Sequence, residues 1–169
     1  INEPYMTETL PQMAEESQST YALRSDGIHE DQKIPLYDIH AAAGLIPMFE
    51  NPNMNKTDEF IVIPRAPKCD GAIFVTGDSM YPLLKSGDIV AYKWVHDIPD
   101  DVFWGEMYLV SVISGDEEFV SVKYVHKGKN DDYIKLVSQN SHVEPKEVRL
   151  SKVRKMAMVK ASIRINSMA

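Results

Sequence analysis

The chain has 169 residues, 44% of them hydrophobic, and a formal charge of −7, which suits one folded unit with a real core and a polar extension. Its excess of acid argues against a nucleic-acid platform, because phosphate contacts need clustered Lys and Arg. No apolar run of about 18 residues provides a membrane span, and the single cysteine, Cys69, rules out an internal disulfide and suits a reducing, cytoplasmic compartment.

Ile1 in place of methionine is expected of a fragment of a longer protein or of a processed chain. Residues 1–33 are polar and acidic, with Thr7-Glu8-Thr9 and Glu15-Glu16-Ser17-Gln18-Ser19-Thr20, and read as a linker. They lack the basic start and apolar centre of a signal peptide. The folded domain is expected over 34–169. Its first motif, His40-Ala41-Ala42-Ala43-Gly44-Leu45, reads by itself as an Ala-rich turn or the start of a short helix. Pro67-Lys68-Cys69-Asp70-Gly71 reads as a turn, and a cysteine–histidine enzyme built on Cys69 would need His29, His40, His96, His126 or His142 nearby, to which nothing local points. Those five histidines show no metal-ligand spacing, and no Gly-rich phosphate loop is present, so no metal and no cofactor are expected.

Short β-branched and aromatic runs at 60–63, 72–75, 89–93, 107–113, 119–125, 133–137 and 156–165 predict strands. Gly115-Asp116 and Gly128-Lys129-Asn130-Asp131 are expected to connect hairpins. With almost no long helical pattern, the fold class is mainly β: a compact, mainly antiparallel domain. The basic stretch Ser151-Lys152-Val153-Arg154-Lys155 reads as a solvated face. In the last run Ala157, Val159, Ala161, Ile163 and Ile165 are expected to face the core. Met156, Met158, Lys160, Ser162 and Arg164 form either a face that pairs with a second copy or a plain exposed face.

Two segments carry chemistry. In Thr76-Gly77-Asp78-Ser79-Met80-Tyr81-Pro82 a strand-like run breaks at Gly77, which takes φ values closed to other residues, and bends again at Pro82. A serine at such a turn can stand exposed beside free backbone N–H groups, as an acyl-transfer nucleophile requires; Gly-Asp-Ser is equally ordinary turn chemistry. In Phe119-Val120-Ser121-Val122-Lys123-Tyr124-Val125 a lysine sits mid-strand among apolar neighbours. To act as a base near neutral pH its pKa must fall by about 3.4 units from about 10.4, within the reach of burial. A lysine that snorkels out of the sheet is the other reading.

Gly77-Asp78-Ser79-Met80-Tyr81-Pro82, Ser86-Gly87-Asp88-Ile89-Val90 and Val122-Lys123-Tyr124 together resemble the LexA-like family of self-cleaving repressors and mutagenesis proteins. The serine–lysine peptidase domain of that family is related to signal peptidases, and the likeness covers about residues 34–166. It implies a LexA/signal-peptidase-like β domain with Ser79 as nucleophile and Lys123 as general base. The chain's own loop would be the substrate, cut at Ala43-Gly44, where small side chains let the carbonyl approach the serine. The oxyanion would be held by the backbone N–H groups of Ser79 and Asp78. It further implies a homodimer, operator DNA bound only through a missing N-terminal helix-turn-helix domain, and a recombinase filament as co-activator. A non-cleaving dimerisation or partner-docking module, and a translesion-polymerase subunit of the mutagenesis type, are the alternatives. A Trp-containing stretch, Trp94 to Trp104, departs from the simplest family pattern.

Overall fold

The computed structural model describes residues 32–38, 45, 50 and 57–166. Nearly all of the extension expected over 1–33 lies outside them. The described residues form strands β1 (Lys33–Tyr37), β2 (Phe60–Val62), β3 (Gly71–Phe74), β4 (Ile89–Val95), β5 (Met107–Ser114), β6 (Glu117–Lys127), β7 (Tyr133–Val137), β8 (Lys146–Arg149) and β9 (Val153–Ile163). They make one sheet in the order β2-β1-β3-β4-β9-β5-β6-β7-β8. Every pairing is antiparallel except β1 with β3. The fold is mainly β, as the spacing of strand-like runs implied. No helix among the described residues is long and apolar enough to cross a membrane.

All seven expected runs appear as strands, and both hairpin connections fall where the glycines place them, Gly115 with φ 66°. Two strands escape the pattern. β8 is Lys-Glu-Val-Arg with only Val148 buried, too short and charged to show a period of two. β1 buries Ile34 and Leu36 around Pro35, a residue that ordinarily argues against a strand.

The centre of the sheet is covered on both faces, so successive β5 residues go to different clusters. Leu109 packs with Ile73, Val75, Met80, Leu84, Val122 and Ala157. Tyr108 and Val110 pack with Val125, Ile134, Leu136 and Met156. This corrects one expectation. β9 was assigned one core face and one outward face, but it lies between β4 and β5, and Met156 and Ala157 are both fully buried. Of the face considered for pairing, Met158 also packs against the second cluster, whereas Lys160 and Ser162 stay exposed. A central strand has apolar neighbours above and below, so alternation fades.

Gly71 opens β3 because a side chain there has no room. A Cβ would come 2.5 Å from the Tyr92 hydroxyl and 2.8 Å from the ring carbon that bears it. Tyr92 is itself fully buried and stacked edge-on against Trp94, with centroids 5.0 Å apart. The Trp-containing stretch therefore begins inside the regular β4–β9 pairing, where Trp94 stands opposite Ala157.

Candidate active site

Residues 75–88 leave the sheet between β3 and β4 and return to it. Their neck is closed by the Val75 N–H on the Asp88 carbonyl (2.7 Å) and the Gly87 N–H on the Val75 carbonyl (2.8 Å). Gly77 takes φ 78° and Gly87 φ 92°. A Cβ at either would meet nothing within 4 Å, so conformation and not space calls for glycine at both turns. The Tyr81 N–H reaches the Asp78 carbonyl at 3.0 Å and the Leu84 N–H the Met80 carbonyl at 2.8 Å. Met80 and Leu84 are buried in the first cluster and pin the loop. Ser79, between exposed Asp78 and buried Met80, is left half-buried at the bend.

Asp88 and Arg164 clamp this loop. The buried Asp88 carboxylate receives Arg164 Nη2 at 2.6 Å and Nε at 3.1 Å, and accepts the Lys85 N–H at 2.8 Å. Arg164 Nη2 also reaches the Leu83 carbonyl at 2.8 Å. The guanidinium holds the Asp88 carboxyl below its ordinary range, against the opposing effect of burial. Because that pKa is depressed on folding, the stabilisation is complete above the ordinary carboxyl value of 3.8 and is lost as pH falls through the lower folded value. Arg164→Ala is therefore expected to lower the melting temperature by several degrees at pH 7 and by much less in strong acid. An equal loss at both would show that the ion pair contributes nothing.

Ser79 lines a cleft of about 310 Å³, together with Asp38, Phe74, Thr76, Gly77, Met80, Glu118, Val120 and Val122. The sequence reading assigned Ala43-Gly44 as the bond to be cut, and those two residues lie outside the described ones. The next residue, Leu45, is described. It is fully buried in the cluster that holds Met80, and its N–H donates to Glu118 Oε1 at 3.1 Å. Glu118 in turn accepts from the buried Ser111 hydroxyl. The backbone amides of Asp78 and Ser79, assigned to the oxyanion, donate to no acceptor among the described residues.

Lys123 stands in β6 opposite Tyr108 of β5 and is half-buried. Burial lowers its pKa, and the Asp78 carboxylate acts in the opposite sense. Among the described residues its amine is hydrogen-bonded to the Ser138 hydroxyl at 2.8 Å and not to Ser79, and Lys123 is not one of the residues lining the cleft. Serine and lysine nonetheless meet the same short stretch, because the Asn140 N–H donates to the Ser79 carbonyl at 3.0 Å. Nothing in the local sequence marks Ser138 or Asn140 as site residues, and Arg164, expected only on the outward face of the last run, is instead bonded to Asp88. Asp88 stands out locally only as part of Ser86-Gly87-Asp88-Ile89-Val90.

The other chemistry considered does not gather. Cys69 is buried, its thiol donates to the Pro67 carbonyl at 3.2 Å, and burial pushes its pKa up, away from thiolate reactivity. No three His, Cys, Asp or Glu side chains among the described residues are grouped to hold a metal ion.

Compared with known proteins, residues 35–160 match the family model described as Peptidase S24-like. No curated protein matches the chain.

Proposed function

The chain belongs to the Peptidase S24-like family, the serine–lysine peptidases of LexA and phage-repressor type, and from that premise we propose that it is the C-terminal regulatory domain of a repressor that cuts its own chain at Ala43-Gly44. Neutral Lys123 takes the Ser79 proton as the hydroxyl attacks the Ala43 carbonyl. The lysine ammonium then protonates the departing Gly44 amine, and water hydrolyses the acyl-enzyme. The backbone N–H groups of Asp78 and Ser79 hold the oxyanion. Tethering supplies the encounter, so the rate is governed by how often the segment enters the cleft.

The observation that carries this reading is Leu45. The residue one step beyond the proposed bond is fully buried beside Met80, itself the neighbour of Ser79. Members of the family often dimerise. A dimer would keep two operator-binding domains bivalent, and cutting between them and this domain would lower operator affinity without touching a DNA contact.

Incubation of the purified chain at increasing pH tests the proposal. Fragments ending at Ala43 and beginning at Gly44 are expected by intact mass, forming faster as pH rises from 7 to 10. A chain of unchanged mass after prolonged alkaline incubation would support the second reading, a non-cleaving dimerisation module. That reading is favoured by the Lys123 amine lying on Ser138.

A further inference from the structure

One stretch between β7 and β8 touches both halves of the site. Ser138 accepts from Lys123 Nζ at 2.8 Å. Gln139 bonds in both directions: its N–H points to Met80 Sδ at 3.5 Å, and its Oε1 accepts from the Tyr124 hydroxyl, on the residue after Lys123, at 3.0 Å. Asn140 donates its main-chain N–H to the Ser79 carbonyl at 3.0 Å and its Nδ2 to the Asp78 carbonyl at 3.1 Å. Asn140 is itself held, with the His142 N–H on its Oδ1 at 3.0 Å and the Val143 N–H on its carbonyl at 3.1 Å.

We propose that residues 138–140 are a positioning template for the catalytic pair, in which Ser138 orients the Lys123 amine and Asn140 fixes the Asp78–Ser79 turn. The inference rests on the self-cleavage reading above. Its physical basis is that the nucleophile turn and the base strand are separate in sequence and no hydrogen bond among the described residues joins Ser79 to the Lys123 amine, whereas three consecutive residues bind both segments. A hydroxyl suits the task at Ser138. Its oxygen accepts an N–H from the ammonium and from the neutral amine alike, and so can hold Lys123 on either side of a proton transfer while the amine's lone pair stays free for the Ser79 proton. The charged group acting on Lys123 is Asp78, whose carbonyl Asn140 also holds.

The test uses the full 169-residue chain with Ser138→Ala, Ser138→Thr and Asn140→Ala. Self-cleavage is measured on the alkaline plateau, where Lys123 is neutral whatever its partner, and the Lys123 titration is followed by NMR of labelled lysine in a Ser79→Ala background. Ser138→Ala is expected to slow plateau cleavage by about 10- to 100-fold, the scale of a misplacement near 1 Å, and to move the Lys123 midpoint; Ser138→Thr restores both. Asn140→Ala slows cleavage similarly but removes no group bonded to the Lys123 amine, so it moves the Lys123 midpoint less than Ser138→Ala does. Asn140→Ser, which loses the Nδ2 donor to Asp78 and adds no charge, replaces it if that chain does not fold, with the same expectation. A Ser138→Ala chain with wild-type plateau rate and an unmoved Lys123 midpoint would overturn the proposal. If the unsubstituted chain never cleaves, the self-cleavage reading falls, and the Lys123 midpoint alone decides whether Ser138 holds the amine.

Discussion

Ser79→Ala is expected to yield a folded chain that produces no Ala43-ended fragment at any pH. Loss of the nucleophile in a serine protease of the triad type costs on the order of 10⁶-fold in rate, and a loss on that scale takes self-cleavage below detection. The fold should hardly register the change. Among the described residues it is the Ser79 main chain, not its hydroxyl, that is bonded into the structure, through its carbonyl and Asn140. The loop is pinned by Met80, Leu84 and the Asp88–Arg164 pair, all of which survive in the alanine chain. A stability change within about 1 kcal/mol, read from thermal unfolding, is therefore expected beside the lost activity. Fragments of the same mass at a comparable rate would remove Ser79 from the mechanism.

Lys123→Met is expected to slow cleavage by about 10²- to 10⁴-fold, and Lys123→Arg should not rescue it, because a guanidinium stays protonated and cannot accept the serine proton. The pH dependence follows from the two influences on the lysine. Burial disfavours the ammonium and lowers the Lys123 pKa, while the Asp78 carboxylate favours it. The wild-type rate should therefore climb with pH and level off below the value for a free lysine, 10.5. Asp78→Asn leaves the backbone N–H in place and removes the opposing charge, so its rising limb should move to lower pH. A limb that stays in place, or moves to higher pH, would mean that Lys123 is not the titrating group. Rates measured by fragment mass across pH 6–11 on the wild type and these variants decide it.

Much of the sheet was legible because β5, β6 and β7 are long β-branched and aromatic runs joined by Gly-containing hairpins, and local chemistry suffices for such elements. The nucleophile turn was legible for a similar reason: Gly77 before Ser79 announces a conformation few residues adopt, and it takes φ 78°. Other features left little local trace. Met156 looked outward because alternation is a one-face signal, whereas a strand between β4 and β9's other neighbour, β5, buries both faces. β8 offered one apolar residue in four.

Ser138 and Asn140 are ordinary polar loop residues by composition, and Arg164 follows a strand whose polar face already carries cations. Their significance arises from partners 15, 62 and 76 positions away in the chain. Patterns of two residues and turns of four are short-range physics, so strand positions, hairpins and the candidate serine and lysine could be read from neighbouring letters. Which hydroxyl meets the Lys123 amine, which arginine locks Asp88 and which residue is buried beside Met80 depend on register between distant strands. Only the assembled sheet, with its bulges between Ala91 and Tyr92 and between Ser111 and Val112, sets that register.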